Sequence, residues 1–224
     1  MKIFLESVKK YRVLWIFSII MLVLAVVSVD TSKTRQPLSY NQSLDEVVAT
    51  VLGEEITLRE FALYVAHQEA EVDAQAYVYN PENTNVYWGL HTNGQFIRAA
   101  ARNAAVNMAV HDELFYQLSK ELEISFSEEE YERLDNDVAD FWSDLTDYGK
   151  EEKLGISKQD IYDAMYKIAC AEKCQYIYAQ MKGLKYEDYD FSSEEYQEFL
   201  RGYEYSVNEK VLERIDFGNV TLEH

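Results

Sequence analysis

The side chains that could bind a metal ion or act as a nucleophile are few and far apart in this sequence. The candidates are two cysteines, Cys170 and Cys174, and four histidines, His67, His91, His111 and His224. The cysteines are four residues apart, so they share one face of a predicted helix. A disulfide at that spacing would strain the helix, and a metal ion would need more ligands close by. The spacing therefore predicts two buried free thiols, and His111 falls in an apolar helix seam that favours a core histidine.

Carboxylates are abundant, but their spacing is not typical of a catalytic site. Asp137, Asp140, Asp144 and Asp147 recur every three or four residues along one predicted helix. Such a row could bind cations weakly, but it lacks the glycine and loop spacing of an EF-hand. Its position opposite Phe141 favours a solvated helix face. The sequence contains no GxSxG, HExxH or Gly-rich phosphate-binding motif, so it predicts no catalytic residue, no metal ion and no cofactor.

Apolar spacing and capping motifs predict about five helices. The strongest spans Gln95 to Glu123, with an apolar seam made of Ile97, Ala101, Ala104, Met108, His111, Phe115, Leu118 and Leu122. In a capping box, a Ser or Thr precedes an acidic residue by three positions. This motif marks four helix starts, at Thr57, Ser127, Ser157 and Ser192. The long helix after Ser157 has apolar residues on two faces, which predicts a central position.

Two strand-like runs frame these helices. Val47–Leu52 is rich in β-branched residues, and residues 211–217 alternate apolar and polar side chains before a turn at Gly218. Alternation is typical of a strand, so we expect the two runs to pair. The predicted fold class is mainly α (α+β). It has about five helices and a small sheet formed by the N- and C-terminal strands of the exported domain, preceded by one transmembrane helix.

The N-terminus predicts where the protein works. Residues 13–29 carry no charge and would span roughly 26 Å as a helix, near the lower limit for crossing a bilayer. Basic residues precede this segment, so the N-terminus should stay in the cytoplasm and the remainder should be exported from a single-pass membrane anchor. A cleaved signal peptide, with small residues at Val26 and Ser28, is the alternative. The predicted organisation is a cytoplasmic basic segment (1–12), a transmembrane signal anchor (13–29), a linker (30–44) and a helical domain (45–224).

The chain is strongly acidic. Its formal net charge is −19, and residues 1–12 hold four basic residues and one Glu, so the remainder carries −22. Nucleic acids are bound through basic surfaces, so we expect no nucleic-acid partner. Acidity of this degree keeps a domain soluble and could favour the binding of basic or unfolded cationic polypeptides.

Aromatic side chains collect in one predicted loop. The first helix should end near Ala76, which leaves residues 77–94 as a loop that contains Tyr77, Tyr79, Tyr87 and Trp88. Large rings in a loop either fold back on the domain or stay exposed for binding. Phe141 and Trp142 form a second candidate pair, because adjacent helical residues point about 100° apart and Trp142 would lie at the rim if Phe141 is in the core.

A resemblance to a known family follows from the order of short motifs. Val48–Phe61 (VATVLGEEITLREF) resembles the opening of the SurA-like chaperone domain, which SurA and the exported foldase PrsA share. The later segments follow in the family's order, and they are Leu122–Glu130, Leu154–Asp160, Ser192–Tyr196 and a closing strand. The resemblance therefore covers residues 46–222. It implies a mainly helical domain without catalytic residues that holds unfolded exported polypeptides.

The resemblance sets the expected function and its alternatives. We expect a membrane-anchored, extracytoplasmic chaperone-like domain whose clients contact the six candidate rings. Foldases of the family also carry a parvulin-type prolyl isomerase domain. No such segment is visible here, so no isomerase activity is expected. The alternatives are a non-catalytic adaptor subunit of an envelope or secretion complex and a fragment of a peptidylprolyl isomerase foldase.

Overall fold

Helices dominate the computed structural model of the protein, which describes residues 36–223. In chain order they are α1 (Leu58–Tyr79), α2 (Asn85–Trp88), α3 (Ile97–Glu121), α4 (Glu128–Asp147), α5 (Lys150–Leu154), α6 (Lys158–Lys182), α7 (Glu194–Leu200) and α8 (Glu209–Leu212). The mainly helical fold class is confirmed. The five predicted helices correspond to α1, α3, α4, α6 and α7, whereas the short α2, α5 and α8 were not predicted.

The N-terminal prediction falls mostly outside the described part of the chain. Residues 1–29, with the basic segment and the proposed anchor, are not among the described residues. Within residues 36–223, no helix is both long enough and apolar enough to span a bilayer. A compact unit begins at Leu38.

Part of the predicted linker belongs to this unit. The backbone N–H of Leu38 donates to the carbonyl oxygen of Arg214 at 2.9 Å. Tyr40 is buried, and its hydroxyl donates to the carbonyl oxygen of Leu58 at 2.8 Å. The linker prediction for residues 30–44 is therefore wrong from Leu38 onward. The sequence there is mostly polar, and it gives no sign that Tyr40 packs into the core.

A small antiparallel sheet packs beside the helices. Its strands are β1 (Val47–Val51), β2 (Glu54–Thr57) and β5 (Tyr205–Val207), in the order β2-β1-β5. Leu52 and Gly53 both have positive φ angles, which suits the two-residue turn between β1 and β2. A separate two-stranded hairpin, β3 (His91–Thr92) and β4 (Gln95–Phe96), precedes α3.

The closing strand lies earlier than predicted. Both ends of the domain do pair, but through β5, with Ala49 opposite Val207. Residues 211–217 are not a strand: Val211 and Leu212 end α8, and the chain then turns. The side chain of Asn208 accepts a hydrogen bond from the N–H of Val211 and so starts a helical turn, which the alternating pattern concealed.

Local capping motifs were predicted with mixed success. Ser127 and Ser157 form complete capping boxes with Glu130 and Asp160, as predicted. Thr57 is the N-cap of α1, but its side chain makes no capping hydrogen bond. The cap of α7 is Ser193 rather than Ser192.

The core is organised around Phe115 on α3. This ring is fully buried, and five rings surround it at centroid distances of 5.0 to 6.3 Å, those of His111, Tyr178, Tyr189, Tyr196 and Phe199. The predicted seam is thus confirmed at its centre. It fails at its end, because Leu122 is 40 % exposed.

A partly buried ion network joins three of the long helices. The ammonium group of Lys167 on α6 donates to Glu60 Oε2 on α1 at 2.7 Å and to Glu113 Oε2 on α3 at 2.9 Å. Burial works to lower the pKa of Lys167, but the attraction of the two carboxylates outweighs it and raises that pKa. Since Glu113 is buried and its charge would be strongly unfavourable without a partner, this network favours the observed relative positions of the three helices.

Truncation of the central ring should destabilise the protein strongly. Phe115→Ala would leave a large cavity, so we expect a loss of about 3–5 kcal/mol in the free energy of unfolding. Urea unfolding followed by circular dichroism measures this loss. The control is Leu122→Ala, at the exposed end of the same seam, for which we expect about 0.5 kcal/mol or less. Equal losses for the two variants would contradict the packing described for Phe115.

The cap of α4 should give stability that depends on pH. Hydrogen bonds from Lys173 and Ser127 lower the pKa of Glu130 from its usual 4.5 to about 2. Because the pKa is lower in the folded state, the stabilisation is complete above pH 4.5 and is lost as the pH falls toward 2. The difference in Tm between wild type and Glu130→Gln should therefore shrink over that range. In Glu129→Gln, which removes a neighbouring carboxylate and leaves the cap intact, we expect no such change.

Candidate functional site

The helix α1 continues beyond the core, and its last turn exposes large side chains. Ala76 is fully buried, but Tyr77, Val78 and Tyr79 are exposed by 64 %, 85 % and 58 %. Successive helical residues point about 100° apart, so these three side chains cover most of the circumference of that turn. The prediction that α1 ends near Ala76 was three residues short, because the helix does not stop where its buried face stops.

The chain after α1 exposes further apolar groups. Val86 on α2 is 46 % exposed, and Phe96 on β4 is 56 % exposed, with its ring edge-on to that of His91. Tyr87 is half-buried, and its ring centroid lies 5.5 Å from that of Tyr79. We call residues 77–96 the aromatic segment. Residues 77–94 were predicted as a loop and residues 95 and 96 as the start of the long helix, but the segment contains the end of α1, the short α2 and the β3–β4 hairpin.

Trp88 does not belong to the exposed part of this segment. It is fully buried, and Gly218 lies directly against its ring. A Cβ atom added to Gly218 would come within 2.6 Å of Trp88 Cδ2, and the φ angle of +91° also favours glycine there. The prediction that Trp88 binds clients is therefore inconsistent with its position, since this ring anchors α2 to the core.

The loop that covers Trp88 is held by a buried carboxylate. Glu69 on α1 is fully buried and accepts hydrogen bonds from the backbone N–H groups of Gly218, Val220 and Thr221 and from the hydroxyl of Thr221. These distances range from 2.5 to 3.1 Å. Several donors on one carboxylate compensate for the loss of its hydration. Nothing in the sequence around Glu69 predicted this role, because its donors lie about 150 residues away along the chain.

Phe141 and Trp142 are less accessible than the aromatic segment. Both side chains are half-buried and pack against the hydrophobic core. The expected contrast between a core Phe141 and a rim Trp142 is absent, since both lie at the edge of the core. The structure therefore does not bring this pair into the exposed aromatic segment.

A pocket of about 470 Å³ lies between α1, α3, α6 and residues 186–192. We call it the acidic pocket. Its apolar lining includes Leu63, Met108, Ile168 and Phe191, and its carboxylates are Asp112, Glu172 and Asp190. The volume is within the range of known ligand-binding pockets. The pocket was not predicted, because its lining comes from four separate parts of the chain and follows no local motif.

The inner end of the acidic pocket is a satisfied hydrogen-bond network. Asp112 accepts from the hydroxyl of Tyr64 at 3.0 Å and lies 2.8 Å from Nδ1 of the buried His111. Nε2 of His111 lies 3.0 Å from the carbonyl oxygen of Tyr189. Both ring nitrogens thus lie within hydrogen-bond distance of an oxygen atom. His111 is a core histidine, as its place in the seam predicted.

The outer end of the acidic pocket holds crowded negative charge. Glu172 lies at the solvent-accessible rim, and desolvation by the surrounding protein, together with the charges of Asp112 and Asp137, raises its pKa. Burial and the carboxylates of Glu172, Asp190 and Asp112 raise the pKa of Tyr186 to about 12. Cationic groups would relieve this crowding by direct attraction.

The two cysteines and the row of aspartates on α4 lie outside both regions, whereas His67 lines the acidic pocket and His91 lies in the aromatic segment. Cys170 and Cys174 are buried free thiols, as predicted. Burial raises the pKa of Cys170, and that of Cys174 to about 12, which disfavours the reactive thiolate. The row of aspartates on α4 is exposed to solvent. Among residues 36–223, no group of His, Cys, Asp and Glu side chains is arranged to hold a metal ion.

Comparisons with protein-family models, with curated proteins and with solved structures found no match. The resemblance to the SurA-like chaperone domain therefore stays a prediction from the quoted motifs. The aromatic segment and the acidic pocket are the two candidate binding regions of the described residues.

Proposed function

We propose that this protein is a membrane-anchored, extracytoplasmic chaperone-like domain that binds unfolded exported polypeptides without covalent chemistry. The observation that carries the proposal is the exposure of five large apolar side chains within the aromatic segment, namely Tyr77, Val78, Tyr79, Val86 and Phe96. Single exposed apolar residues are normal on protein surfaces, but their concentration in one segment is typical of interaction sites.

The chemistry of these side chains suits contact with many sequences. Tyrosine and phenylalanine offer large, rigid contact areas and lose few rotatable bonds on binding. Their contacts are apolar and therefore non-directional, so they do not demand one client sequence. Because Trp88 fixes α2 to the core, the rings of Tyr77 and Tyr79 can bind a client without disturbing the fold.

The acidity of the protein supports the same function. A formal net charge of −19 keeps a protein with exposed apolar groups soluble through mutual repulsion. It would also attract cationic segments of unfolded clients. Nucleic acids and anionic surfaces would be repelled, and contact with the membrane is assigned to the N-terminal helix alone.

A second candidate is a non-catalytic adaptor that tethers one envelope or secretion partner. The observation that favours it is the concentration of exposed apolar groups in a single segment, since a specific partner needs one patch. The chaperone proposal requires protection of unrelated clients, whereas the adaptor proposal predicts protection of none.

Suppression of client aggregation tests the proposal. The purified 224-residue chain, held in lipid nanodiscs, should reduce light scattering by at least two unrelated unfolded proteins. Tyr77→Ser with Tyr79→Ser should weaken this protection by more than about half, because each substitution removes a ring worth on the order of 1 kcal/mol or more of contact. The Tm should change little, since both rings are exposed.

A matched double variant controls for loss of aromatic residues in general. Tyr148→Ser with Tyr176→Ser removes two rings that are exposed by 74 % and 54 % outside the aromatic segment. This variant should protect clients as well as wild type. Protection of neither client by wild type would reject the chaperone proposal in favour of the adaptor. Equal protection by both double variants would place the binding site elsewhere.

The proposed location makes a separate prediction. Basic residues before residue 13 and an acidic domain after residue 30 imply that the domain faces outward. Protease added to intact spheroplasts or protoplasts should digest the domain and leave a cytoplasmic marker protein uncut. A domain that survives until the membrane is lysed would overturn the extracytoplasmic location.

A further inference from the structure

The acidic pocket has an apolar wall and an unneutralised acidic rim. Met108 and Ile168 contribute apolar surface from α3 and α6, and Glu172 and Asp190 contribute carboxylates. In the described part of the chain, the carboxylate of Glu172 makes no hydrogen bond or ion pair, and the carboxylate of Asp190 accepts one hydrogen bond, from the side chain of Gln175 at 3.3 Å. The rim thus retains free acceptor capacity beside an apolar surface.

The deeper carboxylate is already used within the protein. Both oxygens of Asp112 have partners, in Tyr64 and His111, so this residue is a fixed part of the floor of the pocket. Among residues 36–223, neither Glu172 nor Asp190 forms an ion pair, and the one side-chain hydrogen bond to Asp190 comes from a neutral amide. A ligand with a positive group at one end would complement the rim.

We propose that the acidic pocket binds a lysine or arginine side chain of a client polypeptide, with the alkyl stem against Met108 and Ile168 and the charged head group at Glu172 and Asp190. Lysine and arginine bury their methylene stems on apolar surfaces while the head groups stay near solvent or a carboxylate, which is the combination present here. A volume of about 470 Å³ accommodates such a side chain together with part of its neighbour.

The proposal rests on the proposed function in one respect, that the ligand is a segment of polypeptide. It adds a preference which the aromatic segment does not supply, since rings alone do not select for positive charge at one position of a client. Clients would then be favoured when a basic residue lies next to apolar ones. A free anion or an acidic peptide would be rejected by the same carboxylates.

A pair of peptides isolates the charged head group. The first probe is a fluorescein-labelled heptapeptide of alanine and leucine with one central lysine, and the second has norleucine in place of that lysine. Norleucine keeps the alkyl stem and loses the ammonium group. By fluorescence anisotropy, the 224-residue chain in nanodiscs, with empty nanodiscs as the blank, should bind the lysine peptide about tenfold more tightly.

Two substitutions with the same change in net charge separate the pocket from the general acidity. Glu172→Gln should remove most of the tenfold preference, because it neutralises the rim without breaking an intramolecular bond. Glu132→Gln, on the exposed face of α4, should keep it. Glu172→Lys should reverse the preference in favour of the norleucine peptide.

Each outcome decides between the proposals. Equal affinity for the two peptides would overturn the lysine preference and leave the chaperone proposal standing. Equal effects of Glu172→Gln and Glu132→Gln would attribute the preference to long-range charge, which also overturns the pocket. A lysine preference that depends on Glu172, in a protein that protects no client from aggregation, would support the pocket and reject the chaperone proposal.

Discussion

The buried carboxylate of Glu69 is the interaction on which the arrangement of the candidate site depends. A charge withdrawn from water is tolerated only when donors surround it, and here all the donors come from residues 218–221. These hydrogen bonds hold the loop against α1. Gly218, which belongs to this loop, then lies in contact with the ring of Trp88. Because Trp88 belongs to α2, the position of the aromatic segment depends on Glu69 and on residues 218–221, which lie outside that segment. The loop has little freedom to move without exposing Trp88 or leaving Glu69 without partners.

The two candidate regions differ in the way they are built. The aromatic segment begins where α1 extends past the packed body, so Tyr77, Val78 and Tyr79 are exposed because that turn of the helix lies beyond the core. The acidic pocket lies where α1, α3 and α6 surround a space, and its carboxylates come from three parts of the chain. The network of Lys167, Glu60 and Glu113 joins the same three helices. That network therefore also maintains the width of the pocket, although none of its members lines it.

Much of the fold could be predicted because the relevant signals are local. Ser127 and Glu130 are three residues apart, and their reciprocal hydrogen bonds need no other part of the protein. The seam around Phe115 follows from helical periodicity alone. The errors arise where distant residues decide the outcome. Trp88 looked like a loop aromatic because its cover, Gly218, is 130 positions away. Residues 211–217 were predicted as a strand from their alternating apolar and polar side chains, but the N-cap formed by Asn208 starts a helical turn there instead. Tyr40 was placed in a solvated linker because its burial depends on contact with α1, which is distant in sequence. The acidic pocket has no local signal at all, since no spacing rule joins residues 64, 112, 172 and 190.

The two thiols on α6 determine how the protein responds to an oxidant. Cys170 and Cys174 are buried, and the pKa of Cys174 is raised to about 12, so almost no thiolate exists while the protein is folded. Disulfide exchange and oxidation require the thiolate, and they therefore have little to act upon in the native state. Unfolding would restore ordinary acidity and access to both sulfur atoms at once. The folded state thus resists oxidation. An oxidant would react selectively with molecules that have unfolded transiently, and oxidation of their thiols would prevent them from refolding.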